Sequence, residues 1–375
     1  MPISQDTSGA DDTRLAARLE RWLVSDDVVL TEPPHVSGGI INYREADGMW
    51  DGVYPEICGY YLQFLAHASA GSPSAPHREI AARVIRWLDA EGGEGAPLTL
   101  YRRIEDLSAV DWRNRCLFSF DLAIILRGLG MAEARWPGIL PARMMARYGN
   151  SVARIVERGR LASHVLRDGR RDVPIPVKWS TTRDVHHVKS AAALAGLGQP
   201  RLDAIAQETA RDEGVLLDQQ QRRRMRELHP FLYSIEGWLT FWAQTDDAQC
   251  LQRAATSFAY LCAEFDRDTA DLPPSAGTRE AAARADVLAQ ALRAGVILKA
   301  AAALDAATLE TWRAMAPRLH RNLAGRLSPQ GGVEFDKVRR DRNSWASMFA
   351  WQAFSVWDQA RARSLDARAA AGSLI

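Results

Sequence analysis

The chain has 375 residues and sets 47 Lys and Arg against 46 Asp and Glu, a formal net charge of +1. That balance gives no support for wholesale binding to nucleic acid or a membrane surface, and no stretch reaches the ~18 uninterrupted apolar residues of a membrane span. Cys58, Cys116, Cys250 and Cys262 sit in apolar surroundings with no CxxC pair and no His at metal-ligand spacing, so they read as buried thiols, and no metal or cofactor is expected.

Met1 to Thr13 is polar and acidic and lacks the basic and apolar regions of a signal peptide, which predicts a cytoplasmic protein with a flexible N-terminus over residues 1–11. From there two kinds of helix alternate. The first kind is amphipathic and reads as Asp12 to Ser25, Arg78 to Ala90, Ala142 to Leu166, Leu202 to Asp218, Ala248 to Phe265 and Ala307 to Arg326. In the first of these, Leu15, Leu19, Trp22 and Leu23 form an apolar stripe while Arg14, Arg18 and Glu20 cover the rest, so one face is buried and one is wet. The second kind is apolar almost all round and begins near Tyr54, Cys116, Asp184, His229, Arg284 and Asn343. Segments such as Val287 to Leu292 and Phe349 to Phe354 have almost no charged side and need protein contact on every face.

Six such pairs, repeating every ~45 to 70 residues, predict an all-α fold: an (α/α)6 barrel over residues 12–362, with the apolar helices inside and residues 363–375 as a C-terminal tail. A one-layer solenoid is the competing architecture, but it would leave one side of each inner helix wet. In the barrel the inner helices run parallel, so their N-termini and the loops leading into them gather at one mouth. Long loops at Asp26 to Val53 and Arg167 to Arg183, the latter with Pro174 and Pro176, mark that mouth as the functional face, and Pro273 and Pro274 shape another.

The segment Asp47 to Glu56 is dense in candidates: Trp50, Tyr54 and further on Tyr60 offer aromatic surface, Asp51 and Glu56 offer carboxylates, and Pro55 fits a first helical turn. Glu56 either acts on substrate or satisfies free amides at the helix start. Asp121 lies among Phe118, Phe120, Leu122 and Ile124, where it needs a partner, a raised pKa or a view of a cavity. His187 and Lys189 open the third inner helix. His229, Tyr233 and Glu236 are spaced four and three apart, on one stripe of the fourth, either as site residues or as a hydrogen-bonded strut. Arg284 and Asp286 open the fifth inner helix and Asn343 and Trp345 the sixth, with capping and core packing as the plain readings.

Basic runs in the leading loops, Arg170 and Arg171, Arg222 to Arg224 with Arg226, and Arg339, Arg340 and Arg342, either form a solvated surface or draw an anionic group to the mouth. No phosphate loop, nucleophile elbow or HExxH is present.

The stretches Tyr54-Pro55-Glu56-x-x-Gly59-Tyr60, Phe120-Asp121, His229 through Tyr233 to Glu236-Gly237, and Asn343-x-Trp345-x-x-Met348-Phe349-Ala350-x-Gln352-Ala353 resemble the six-hairpin (α/α)6 superfamily of glycoside hydrolases, polysaccharide lyases and sugar 2-epimerases, in particular bacterial members associated with surface-polysaccharide genes. The resemblance implies acid/base groups at the inner-helix N-termini, where Glu56, Asp121, His187, Glu236 and Asp286 stand, and a small-molecule or oligosaccharide substrate; the missing secretion signal departs from typical extracellular polysaccharide degraders and shifts the expectation toward handling inside the cell. Hydrolysis, elimination and epimerisation all fit this expectation. An isoprenoid-type cyclase with an Asp acid, or a toroid that only binds glycan or protein, are the alternatives.

Overall fold

A computed structural model describes residues 9–71, 75–170, 174–220, 227–265, 272–273, 283–338 and 340–375. Arg171, Arg222 to Arg224, Arg226, Pro274 and Arg339 lie outside these residues. The inner helices are α2 (Pro55–Ala68), α5 (Ser119–Arg135), α7 (His187–Leu194), α9 (Leu228–Thr245), α11 (Ala285–Ala300) and α13 (Ser344–Arg361). Each packs on the next, and α13 packs back on α2, so the ring is closed. Outside it lie α1 (Gly9–Leu23) against α13, α3 (Ala75–Gly92) against α2, α6 (Met144–Ala153) against α5, α8 (Pro200–Gln220) against α7, α10 (Ala248–Ala263) against α9 and α12 (Ala306–Ala324) against α11. A short helix, α4 (Glu105–Val110), lies in the loop between α3 and α5, and α14 (Ala367–Gly372) packs on α9 and α11. The fold is the (α/α)6 barrel, and none of the described helices is long and apolar enough to cross a membrane.

The alternation of the two helix types follows from burial. Val287, Leu288, Ala289, Ala291 and Leu292 of α11 are all inaccessible to solvent, as only a helix with neighbours all round allows. All four cysteines are free and buried.

Short antiparallel strands trim the mouth. β1 (Tyr43–Arg44), β9 (Arg342–Asn343) and β8 (Val333–Glu334) form one sheet that ties the start of the chain to its last inner helix. β2 (Gly52–Val53) pairs with β3 (Tyr101–Arg102), and β4 (Cys116–Phe118) with β7 (His164–Leu166). The helix read over Ala142 to Leu166 is instead α6 followed by the hairpin β5 (Val156–Glu157) and β6 (Arg160–Leu161) and then β7. The two-residue loop Arg158-Gly159 explains the break: both have positive φ, at 52° and 82°, the geometry of a tight hairpin turn. Similarly α5 starts at Ser119, because Cys116–Phe118 is held as a strand. Of the basic loop residues, Arg170 is exposed and paired with Asp168 at 2.8 Å, Arg340 is exposed, and Arg342 lies over the Trp22 ring, turned away from the barrel axis toward Asp27.

Helices α2 and α5 cross with their backbones in direct contact. A β-carbon at Gly59 would stand 2.7 Å from the carbonyl oxygen of Ile124, and one at Gly128 would collide with the carbonyl of Gly59. Only glycine allows the two backbones to meet there. Gly128→Ala is expected to lower stability by about 1–3 kcal/mol in urea unfolding through overpacking. A change below about 0.5 kcal/mol, the scatter of ordinary surface substitutions, would show that the crossing can relax.

Candidate active site

A cavity of about 260 Å³ opens at the inner-helix N-termini, lined by Asn42, Tyr54, Glu56, Ile57, Tyr60, Trp179, His229, Tyr233, Arg284 and Trp345. It brings together Tyr54, Glu56 and Tyr60 from the start of α2, His229 and Tyr233 from α9, and Arg284 and Trp345 from the fifth and sixth inner-helix starts.

Glu56 stands in the first turn of α2, just after Pro55 at the opening position. The amides of Ile57 and Cys58 bond to the Tyr54 carbonyl, and no hydrogen bond or ion pair engages the Glu56 carboxyl among the described residues. Burial, then the nearby charge of Asp121, push its pKa well above the ordinary carboxylate value, against a smaller opposite pull from Lys189. The net shift favours the neutral form of the Glu56 carboxyl, which lines the cavity.

His229 is the complementary group. Its Nδ1 lies 2.9 Å from Gln290 Oε1 and 3.1 Å from Asp286 Oδ2. The Gln290 Nε2 donates to Glu236 Oε2 at 3.3 Å, which turns Gln290 Oε1 toward the histidine. With two acceptors beside it, Nδ1 carries the proton and Nε2 is the nitrogen left for the cavity. Burial brings the His229 pKa down to about 4 even though Asp286 pulls the other way, so the imidazole is neutral.

Asp286 is fully buried but holds its charge. It accepts from Arg284 at 3.1 and 2.5 Å, from the Val287 amide at 3.0 Å and from Trp345 Nε1 at 3.4 Å. Burial raises its pKa, but Arg284 and His229 reverse the sign and leave it below the ordinary value. It orients His229 and is itself enclosed.

Glu236 lies one turn deeper than Tyr233 and does not line the cavity. Its Oε1 accepts from the Arg293 fork at 2.7 and 2.5 Å, and its Oε2 from Lys189 Nζ at 2.6 Å. Burial alone would raise its pKa, but Arg293 and Lys189 together lower it. Lys189 itself falls to about 7, mainly through burial, despite the carboxylate beside it. Lys189 also stands 4.5 Å from the Tyr233 ring centroid and donates at 2.9 Å to the Ile375 carbonyl oxygen. The stripe of His229, Tyr233 and Glu236 thus runs down the barrel axis, with its upper two members at the cavity and the third in an ion cluster beneath.

The remaining predicted residues lie elsewhere. Asp121 lines a separate small cleft of about 10 Å³ with Pro97, Phe118 and Arg167, and burial raises its pKa to about 7. His187 is buried beside Arg183 and Arg160, and burial, then those charges, lower its pKa to about 3. Trp50 packs into the core, Asp51 pairs with Arg102 at 2.7 Å, and Asn343 caps α13 by accepting from the Ala346 amide at 2.8 Å. Among the described residues no group of three or more His, Cys, Asp and Glu is arranged to hold a metal ion.

Three residues were not singled out by sequence. Trp179 covers the cavity from the long loop before α7, with its ring centroid 5.9 Å from those of both His229 and Tyr233. Asn42 lines the cavity from the loop before α2, and His186 lies under Trp179 at 5.1 Å. The length of both loops was the available signal.

No protein-family model matches the sequence, and no curated protein matches it. Solved structures do. A cellobiose 2-epimerase from Spirochaeta thermophila superimposes with a TM-score of 0.70 at 13% identity, covering 97% of this chain and 100% of that one. A D-mannose isomerase gives 0.69 at 12% identity, with 94% and 99% covered, and an unsaturated glucuronyl hydrolase specific for heparin gives 0.63 at 12%, with 96% and 98% covered. The chain has the six-hairpin (α/α)6 fold of these proteins.

Glu236→Leu would leave Arg293 and Lys189 buried without their carboxylate and is expected to cost about 3–5 kcal/mol in chemical denaturation. A loss below about 1 kcal/mol, the range of exposed ion pairs, would remove the cluster as a structural element.

Proposed function

We propose that the protein is a carbohydrate-processing enzyme that isomerises or epimerises a small sugar by moving a proton at the carbon beside a carbonyl. The observation that carries this reading is the pairing of two neutral groups of opposite role at one cavity: His229, with Nδ1 occupied and Nε2 free, and Glu56, unpaired and held protonated. His229 takes the proton from carbon, the electron pair moves to the carbonyl oxygen, and Glu56 delivers a proton there, giving an enediol. As His229 returns the proton, to the same carbon on its other face after the enediol turns about the adjoining C–C bond or to the neighbouring carbon, Glu56 takes back the proton of the hydroxyl that becomes the carbonyl, which completes epimerisation or isomerisation. Asp286 stabilises the imidazolium that forms in between.

The cavity favours a substrate of one or two sugar rings. At about 260 Å³ it falls just below the ~300–1,000 Å³ usual for drug-sized ligands. Tyr54, Tyr60, Trp179, Tyr233 and Trp345 supply flat apolar faces, and Asn42 supplies an amide for a hydroxyl. Arg284 is already neutralised by Asp286, which favours an uncharged sugar over a uronate. The same polar groups count against a carbocation cyclase, whose cavity must present no base to the cation. The structural neighbours that act on sugars, by isomerisation, epimerisation and hydrolysis, agree with the substrate class.

The test is incubation with free aldoses and β-linked disaccharides in D2O, followed by NMR. Deuterium is expected at the carbon beside the carbonyl, and a released monosaccharide without such exchange would sink the proposal. His229→Asn and Glu56→Gln should each lower kcat by about 10²–10⁴-fold with the fold intact. The pH profile has a defined sign: the base limb is lost as pH falls through about 4, where His229 protonates, and the acid limb is lost as pH rises through the elevated Glu56 value. In Glu56→Gln the alkaline limb should disappear while the acidic one stays.

A further inference from the structure

At the end of the barrel opposite the mouth lies a second cavity, of about 390 Å³, between the C-terminal ends of α11 and α13 and the middle of α12. It is ~20 Å down α11 from Asp286, at 1.5 Å per residue, and shares no residue with the mouth. Its wall is apolar, formed chiefly by Val296, Trp312, Trp357 and Leu365, and its lining includes four cationic side chains and no acidic one. Lys299, Arg313 and Arg363 are exposed, and none of them has an ion-pair partner among the described residues.

Partial negative charge at the two helix C-termini accounts for Lys299 and Arg361 in or just before their last turns. It does not account for Arg313 in the middle of α12 or for Arg363 beyond the end of α13. Arg363 has φ of +57°, a left-handed position just past a helix end that glycine or asparagine normally fills. In the interior of α12, Pro317 leaves the carbonyl of Arg313 without its helical donor, and both residues line the cavity. The indole N–H of Trp357 is also buried without an acceptor among the described residues.

We propose that this cavity is a binding site for an amphiphilic organic anion, whose apolar body lies against Trp312 and Trp357 and whose carboxylate or phosphate meets Arg313, Arg363 and Lys299. The volume is within the range of small-molecule pockets, and charge complementarity selects the head group. The site is independent of the reaction assigned to the mouth. The apolar body could be an acyl chain or an aromatic ring, and two probes separate them: octanoate and 1-naphthoate, each titrated calorimetrically beside its neutral amide.

Saturable binding of at least one anion and not of its amide is expected. The Kd should rise by roughly tenfold or more in the exposed double variant R313Q/R363Q, and rise with added salt, as loss of two direct charge contacts implies. Glu56→Gln at the mouth should leave it unchanged. Circular dichroism of R313Q/R363Q establishes that the fold is kept. Absence of saturable binding by both anions, equal binding of acid and amide, or unchanged affinity in R313Q/R363Q would each overturn the assignment.

Discussion

A buried carboxylate at the centre of a barrel has to be satisfied, and Glu236 is satisfied from three directions. Arg293 reaches it from α11 and Lys189 from α7, while Gln290 adds a third donor. The network does not stop there. Arg293 continues to Gln352 on α13 at 2.8 Å, and Lys189 and Arg293 both reach the Ile375 carbonyl oxygen at 2.9 Å. Arg127 on α5 joins Gln63 on α2 at 3.1 Å and the Gly372 carbonyl at 2.7 Å. All six inner helices thus contribute a polar group at one depth, and the segment after α14 is held among them. The chain beyond residue 362 belongs structurally to the barrel axis: Leu374 and Ile375 are buried.

The same layer reaches the mouth through Gln290. Because its amide nitrogen is drawn to Glu236, its oxygen is presented to His229 Nδ1, and the proton is fixed on that nitrogen. Partners, more than depth, separate the carboxyl groups. Glu236 and Asp286 are the most deeply enclosed and stay charged, since arginines surround them. Glu56 and Asp121 sit in less enclosed places but rise, since no cation is bonded to them.

The ring was legible because its signal is repeated: six helices without a wet face, each preceded by a helix with one. The mouth was legible for a related reason, since parallel inner helices must bring their N-termini together. What sequence could not convey was depth. His229, Tyr233 and Glu236 fall on one stripe, but only the crossing of α7, α9 and α11 decides that the stripe enters an ion cluster between its second and third members. Rotation of a helix about its own axis was equally hidden. Adjacent His186 and His187 point to different surroundings, one under Trp179 and one beside Arg183 and Arg160. Trp179 escaped because a residue on an irregular loop has no period to betray its direction. Arg293 was within reach: a lone charge in the middle of Val287 to Leu298 requires a buried partner by the argument applied to Asp121.

The placement of carboxyl groups also bears on the choice between proton transfer at carbon and hydrolysis of a glycosidic bond. A glycosidase of the usual kind needs two carboxyl groups flanking one bond, ~5 to 9.5 Å apart, with the second free to attack or to activate water. Among the described residues only Glu56 brings a carboxyl group to the cavity. Asp286 has its oxygens occupied by Arg284, Val287, Trp345 and His229, and Asp121 opens onto a different cleft. Among the described residues water activation would therefore fall to His229, without a second carboxylate to assist it. Against a carbon acid the balance differs, because the carbonyl is polarised by Glu56 as the proton leaves. In the proposed transfer the imidazolium forms next to the ionised Asp286, which lies behind the cavity wall and compensates its charge. The arrangement therefore supports the proposed proton transfer at carbon more directly than it supports hydrolysis by two carboxyl groups.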